Sequence, residues 1–426
     1  MLRWRIAILV SAAIAISYLD RQTLPVAIKA IGEDIPVSNE QFSLLQSSFL
    51  IAYAVMYAAG GKLMDVLGTR AGLLLIMLFW SLACASHGLA TSLGMLAISR
   101  LLLGIGEGGG FPAATRAVAE WFPAHERSTA MGIINAGTAV GGVMAPPLIA
   151  LVITSADWRT VFYVTGVIGL AWSAWWWYAY YSPDNHPRLA SPERDLLAGV
   201  IAAGRSAEVA PRWRTLLQVR QTWGLVTAKF LSDAAWYFYL FWLPKYLYDA
   251  RGFDITTVGA FAWIPYAAAG IGCIAGGWLS SRLLVGHVPL NRARKIALGL
   301  SASVMPAVLF IPSVPSGWAL AIFSLAYFGQ QSWSTLVMIL PTDMYPRNAI
   351  GAVAGLVGFG GAMGGVVFGQ VVGTLLDRGF GYGVVFALAG SFHVVAFTIL
   401  CVVIPVIAPV TLPTAGRSTA PLPAAR

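Results

Sequence analysis

Apolar segments of roughly 20 residues, enough to cross a bilayer as helix, recur along almost the whole chain. They fall near 6–28, 42–64, 71–92, 95–118, 129–153, 160–181, 222–247, 256–283, 293–312, 317–340, 349–375 and 382–408. In hydrocarbon each backbone N–H and C=O must be satisfied inside the protein, so a lipid-embedded segment of this length is a helix. The pattern predicts an all-α integral membrane protein with twelve transmembrane helices. Only 11% of the 426 residues are charged and 58% are hydrophobic, against about 25% charged in soluble domains. A soluble fold is excluded.

The opening "MLRWRIAILVSAAIAIS" has the basic start and apolar core of a signal peptide. Its apolar pattern runs on to residue 28 without a clear cleavage site, so it reads as a retained first helix. With both termini placed inside, nineteen of the 27 Lys and Arg fall on the cytoplasmic side and five outside (Lys29, Arg159, Lys245, Arg251 and Arg378). That bias orients the chain. The net charge of +9 is therefore a topology signal and implies no nucleic-acid partner. Cys84, Cys273 and Cys401 lie in apolar spans without metal-ligand spacing, so no metal is expected and they read as small buried hydrophobes.

The chain divides in two. A half of six spans (1–181) precedes a polar stretch, 182–221, whose six arginines place it inside as a cytoplasmic central loop. Within it "SPERDLLAGVIAAG" predicts a short surface helix begun by Ser191 and Pro192. The second half covers 222–408, and the tail 409–426, rich in Pro, Ala, Ser and Thr, reads as disordered and cytoplasmic. The halves repeat: "EWFPAHERSTAMG" (120–132) aligns with "DMYPRNAIGAVAG" (343–355) at an offset of 223, which also carries Gly137, Gly141 and Gly142 onto Gly360, Gly364 and Gly365. "GGKLMDVL" (60–67) matches "GGWLSSRL" (276–283) at 216. Two pseudo-symmetric six-helix halves place a pathway at their interface and a binding site near mid-membrane.

"GKLMDVLGTR" (61–70) resembles the G-x-L-x-D-x-x-G-x-R signature of the major facilitator superfamily (MFS). At a cytoplasmic helix end, Gly61 and Gly68 would permit close packing, while Asp65 and Arg70 would make charge contacts that hold the inward side shut. In the second half Ser281 replaces the aspartate, which makes that copy degenerate. "SYLDRQTLP", "RLLLGIGEGGGFPA", "EWFPAHERSTAMG", "APPL" and "DWRTVFYVTG" together resemble the anion:cation symporter family. "KFLSDAAWYFYLFWLPKYLYDARGFD", "FAWIPY" and "GGWL" are most similar to its bacterial hexuronate transporters. The resemblance implies a proton-coupled symporter of the bacterial inner membrane. It would import a sugar-acid anion as a monomer surrounded by lipid, with protons as coupling ion and no cofactor.

Intramembrane ionisable groups are costly and functional by default. Of the acidic residues only Asp20, Glu107 and Asp233 fall within spans. At 1.5 Å per residue, Asp20 and Arg21 lie about 21 Å into the first span, Glu107 about 18 Å into the fourth and Tyr53 about 17 Å into the second. Asp20 and Glu107 are the candidate proton carriers, because burial favours a neutral carboxyl while a nearby arginine favours the ionised one. The alternative for either is a permanent ion pair with Arg21 or Arg100. Arg21 and Arg100 are candidates for gripping a carboxylate through two hydrogen bonds, with Arg100 equally readable as structural. Tyr18 shares a helix face with Arg21, and Tyr53 adds a hydroxyl. The family resemblance assigns the arginine and tyrosines here to the substrate's carboxylate and hydroxyls.

"GIGEGG" (104–109) satisfies G-x-G-x-x-G, but inside an apolar helix it has no strand before it and is no dinucleotide loop. Lys229 and Asp233, spaced i,i+4, read as a local pair or as a cytoplasmic gate near the inner end of the seventh span. Trp236, Tyr237, Gln330 and Ser334 are candidates for sugar-hydroxyl contacts or for packing, and the 223 offset carries Glu107 onto Gln330. The aromatic run "AWWWYAYY" (174–181) reads as interfacial anchoring.

Thr138 stands where some sugar-acid members have a glutamine, which leaves open a substrate such as an aldonate, aldarate or monocarboxylate. "GIINAGTAVGGVMAPP" (132–147) partly resembles a drug-antiporter motif, and export by proton antiport is the same-class alternative. An enzyme is not expected. No nucleotide loop, ligand cluster or nucleophile–base pair is present, and His87, His125, His186, His287 and His393 are scattered.

Overall fold

The computed structural model describes residues 1–123, 126–203, 213–410 and 412. The chain crosses twelve times, as the apolar pattern predicts. The first half comprises α1 (Leu2–Asp34), α2 (Asn39–Ser86), α3 (Leu93–Gly108) with α4 (Gly110–Trp121), α5 (Arg127–Ser155) and α6 (Trp158–Ala179). The polar segment between the halves forms α7 (Ser191–Ala203) and α8 (Trp213–Leu217). The second half comprises α9 (Arg220–Arg251), α10 (Ile255–Phe261) with α11 (Trp263–Val285) and α12 (Leu290–Ser303), continued by a 3₁₀ turn, Met305–Ser313. It closes with α13 (Ser316–Met344), α14 (Arg347–Asp377) and α15 (Tyr382–Val403). Residues 204–212 of the central loop, and residues 411 and 413–426 of the expected tail, lie outside the described residues.

The edges differ from the sequence reading for local reasons. The second and third crossings are one continuous α2, bent at Gly68, whose φ of 72° and ψ of 162° suit a residue without Cβ. The latch glycine is thus the turn itself. The fourth crossing breaks at Gly109 and the eighth at Ala262. Eight stretches are long and apolar enough to qualify by composition alone. The fourth crossing, α6, α9 and α13 are not among them.

Turns on the face read as outer are capped tightly. Ser38 begins α2 in a capping box with Gln41. Asp157 caps α6, and Thr160's hydroxyl and N–H hold its carboxyl below the usual range. Asp254 caps α10, and Thr257 with Thr256 lowers its carboxyl to about 2.

The halves meet on that same outer side. Gln22 donates to the Leu240 carbonyl (3.2 Å), Tyr248 to Val26 (2.7 Å), Ser43 to Gly369 (2.6 Å) and Gln370 to Ser47 (2.7 Å). Asn39 and Glu40 both donate to Asp377. All of these hydrogen bonds between the halves lie in this outer portion. The buried apolar side chains follow suit. One cluster runs through the first half and the outer part of the second. The inner part of the second half, including Leu225, Trp333, Leu340 and Val357, forms its own cluster. The hydrogen bonds named between the halves thus concentrate on the face read as outer.

Candidate substrate and coupling site

The centre of the first half is an ion pair between helices. Arg21 on α1 donates through Nε to Glu107 Oε2 on α3 at 2.6 Å, and Ser17, one turn earlier on α1, donates to the same oxygen at 2.6 Å. The other carboxyl oxygen, Oε1, is buried without a partner. Arg21's two terminal nitrogens make no hydrogen bond among the described residues, and neither is sealed in the interior. Aromatic rings frame this free fork: Tyr53 at 4.5 Å, Tyr18 at 4.8 Å and Phe49 at 5.5 Å from the guanidinium carbon. Among the described residues the hydroxyls of Tyr18, Tyr53 and Tyr57 likewise have no hydrogen-bond partner, and none is sealed off. The site can take a planar anion on the fork and polar substituents on the hydroxyls.

Asp20 points elsewhere, as adjacent helical residues must. Trp80 Nε1 donates to its Oδ2 at 3.1 Å and Cys84 Sγ to its Oδ1 at 3.4 Å, while Cys84 also meets the Thr165 hydroxyl at 3.2 Å. This corrects the reading of Cys84 as an inert apolar filler. Asp20 has no cation partner among the described residues, so a permanent ion pair is excluded for it in this state. Arg100 is fully buried behind Phe49. It makes one long contact to the Arg21 carbonyl (3.5 Å), with Nε and Nη1 unpartnered.

The second half carries a different network. Lys229 donates to Asp233 Oδ1 at 2.9 Å and to Ser334 at 2.7 Å. Gln330 donates to the same Asp233 oxygen at 3.3 Å, and its carbonyl meets His393 Nε2. Lys229 and Asp233 form the local i,i+4 pair that their spacing suggests. Lys229 and Asp233 lie about 14 and 20 Å along α9, inward of its middle but not at its end, and they make no hydrogen bond to the first half among the described residues. Gln330 has both ends of its amide occupied and Ser334 holds the lysine. His393, one of the scattered histidines, belongs to the cluster.

Trp236 packs edge-on against Tyr327 (5.4 Å) and Tyr237 stacks on Phe241 (5.7 Å). Tyr18 and Tyr237 each lie within electrostatic range of both Arg21 and Asp233. Thr138 spends its hydroxyl on the Asn135 carbonyl (2.8 Å).

At the latch, Arg70 sits between Tyr181 (3.8 Å) and Trp177 (4.3 Å) and donates to the Trp177 carbonyl at 2.7 Å. Trp176 donates to the Arg70 carbonyl, and Tyr180 to Glu120. The aromatic run therefore does more than anchor in lipid: it holds the latch arginine within its own half. Gly61 has no side chain, and that of Asp65 lies outside what is described. Beside the second copy, read as degenerate at Ser281, Arg294 pairs with Asp343 at 2.8 Å and donates to Ser280 at 2.8 Å. Sequence reasoning missed Trp80, Thr165, Tyr57, His393 and Ser280. Only Tyr57 carried a signal, one turn from Tyr53 on the same helix face.

The profile of the Major Facilitator Superfamily matches residues 10–369. The hexuronate transporter of Escherichia coli K12 is 30% identical over 408 residues, covering 95% of this chain and 94% of that protein. The galacturonate transporter of Dickeya chrysanthemi is 34% identical over 309 residues, covering 71% and 89%. Among solved structures, the inward-open xylose transporter XylE of E. coli superposes with a TM-score of 0.73 at 14% identity, covering 95% of this chain and 96% of that one. That likeness speaks for the fold alone.

Proposed function

Because the chain belongs to the Major Facilitator Superfamily, it is a multi-pass membrane transporter and not an enzyme, and we propose that it imports a sugar-acid anion, a hexuronate first, by proton symport across a bacterial inner membrane. The observation that carries this reading is Arg21's unoccupied fork beside Glu107, ringed by free tyrosine hydroxyls. A guanidinium fork matches a carboxylate in two parallel hydrogen bonds, and phenol hydroxyls suit the remaining sugar oxygens. The names of its relatives, a hexuronate and a galacturonate transporter, support the same substrate class.

In the proposed cycle the substrate carboxylate takes the Arg21 fork and Glu107 gives up the arginine. A buried carboxylate without its cation is strongly disfavoured, so Glu107 takes a proton at Oε1, the oxygen that no donor occupies. Arg21 is then balanced by the substrate and Glu107 is neutral. Asp20, donor-bound but without a cation, accepts a second proton or relays the first. The halves rock about the site, opening outward where Gln22, Ser43, Tyr248 and Asp377 now join them. Termini inside, action as a monomer, surrounding lipid and independence of any cofactor or nucleic acid belong to the same reading.

The test is uptake of labelled galacturonate into proteoliposomes. We expect accumulation on an inward-directed proton gradient. A Glu107→Gln variant should keep exchange of substrate for substrate but lose accumulation. Retained proton-driven accumulation in that variant would remove Glu107 from the mechanism. Efflux on the same gradient would instead favour the antiporter.

A further inference from the structure

A second built site lies far from the transport pathway, where α1 begins, α6 ends and the central loop folds back. Arg3 ties these elements together. It pairs with Glu126 (2.7 Å), just before α5, and with Glu193 of α7 (2.9 Å), while the backbone N–H groups of Leu2 and Arg3 also donate to Glu193. Burial pushes the Glu193 carboxyl up, but those N–H donors and Arg3 outweigh it and hold it below its usual range. Glu193 is thus ionised and fully occupied.

Beside this knot opens a cavity of about 760 Å³. Its floor is apolar, with Ile6 and Leu9 of α1 and Trp175 of α6, and its rim carries Arg5 and Arg188. Arg3 and Glu193 neutralise each other at one edge. Arg5 and Arg188 are exposed, and neither side chain has a partner among the described residues. Among the described residues lining the cavity, the only unpaired side-chain charges are therefore two guanidinium groups. Burial lowers the nearby His186 below its usual range, so that ring adds no charge near neutral pH. Trp175 and Tyr178 are 56% and 79% exposed at the same level, the placement of side chains at the boundary between headgroups and hydrocarbon.

We propose that this cavity binds an anionic phospholipid of the inner leaflet, its phosphate on Arg5 and Arg188 and an acyl chain against Ile6, Leu9 and Trp175. Basic pockets between helix ends on the cytoplasmic side recognise such headgroups. The cavity combines an apolar floor with two free cations at its mouth, complementary to a molecule with a phosphate at one end and hydrocarbon at the other. A soluble phosphate would leave the apolar floor unused, and a zwitterionic lipid would bring its own cation to the arginines. A lipid here would touch α1, α6 and the central loop at once and brace the join that Arg3 makes.

The experiment uses the full chain purified in a mild detergent, with bound lipid counted by native mass spectrometry and unfolding followed thermally. Phosphatidylglycerol should stay bound and raise the unfolding temperature; phosphatidylcholine and inorganic phosphate should do neither. An Arg5→Gln/Arg188→Gln double variant should bind phosphatidylglycerol roughly tenfold more weakly or worse, with galacturonate exchange unchanged. Equal retention of both lipids, or unchanged binding in the double variant, overturns the proposal. Stabilisation by inorganic phosphate matching that of the lipid would make this a site for soluble anions and overturns it too. Should the double variant fail to fold, photo-crosslinking phosphatidylglycerol to the wild-type chain decides. Label on residues 1–9 and 175–196 supports the site, and label confined elsewhere ends it.

Discussion

Each half of the molecule buries one cation–carboxylate pair, and the two are built differently. Arg21 and Glu107 sit on separate helices, 86 residues apart. Lys229 and Asp233 sit one turn apart on α9. A pair between helices breaks when the helices shift or when another anion reaches the cation. A pair within one helix travels as a unit and survives rocking. Occupancy differs as well. Arg21 leaves two nitrogens free, whereas Asp233 Oδ1 is shared by Lys229 and Gln330, and Gln330 is backed by His393. On α14, Gly361 lies so close to Asp233 and Lys229 that even a methyl group would collide with the pair. The first pair has the features of a switch and the second those of a scaffold.

The sharpest way to break that comparison is to remove each cation. Arg21→Gln removes the proposed carboxylate grip and leaves Glu107 buried without its partner. Losing one member of a buried, hydrogen-bonded charge pair costs about 2–5 kcal/mol of binding. Galacturonate uptake at low substrate should therefore fall by roughly thirtyfold or more. Lys229→Gln keeps a donor for Asp233 and Ser334, and should lower uptake several-fold at most. A loss with Lys229→Gln as deep as that with Arg21→Gln would place the second pair in the transport machinery.

A double substitution sharpens the same contrast. Breaking a buried pair from one side costs about 3–5 kcal/mol, whereas replacing both members with apolar residues of similar size is often neutral or stabilising. Lys229→Met and Asp233→Leu should each lower the unfolding temperature, and the combined variant should recover most of the loss while still transporting. The equivalent double, Arg21→Met/Glu107→Leu, should recover stability but not uptake. A combined α9 variant that folds yet carries nothing would show that the second half also exchanges charge.

The fold was legible because hydrophobic periods of helical length survive any packing arrangement, and because Gly and charge signals mark the helix ends. Asp20, Arg21, Glu107 and Tyr53 were legible for a related reason: charge in hydrocarbon is rare enough to be informative alone, and a rise per residue converts position into depth. Partners were not. Cys84, Thr165 and Trp80 are ordinary membrane-helix residues, and only the meeting of α1, α2 and α6 makes them Asp20's surroundings. His393 looked isolated because its partner, Gln330, is 63 residues away. Arg294's partner was hidden by one residue: the repeat draws attention to Ser281, while the side chain that meets Arg294 is Ser280.

The smallest expected effect concerns Asp20, the one intramembrane carboxylate without a cation among the described residues. Its hold consists of an indole N–H and a thiol S–H. Cys84→Ala removes the weaker donor and leaves the Trp80 bond intact. A single hydrogen bond to a charged group contributes about 1.5–3 kcal/mol, and a thiol at 3.4 Å contributes less. If Asp20 carries or relays a proton, Cys84→Ala should slow proton-driven uptake by roughly twofold to fivefold while leaving substrate exchange unchanged, since exchange needs no net proton movement. Cys401 near the end of α15 has no hydrogen bond among the described residues, and Cys401→Ala should change neither rate. Equal behaviour of the two variants would show that Asp20's thiol contact is packing and that its proton role, if any, rests on Trp80 alone. A fall in exchange as large as the fall in uptake would locate the thiol's effect in substrate binding and return Asp20 to a structural part in the Arg21 site.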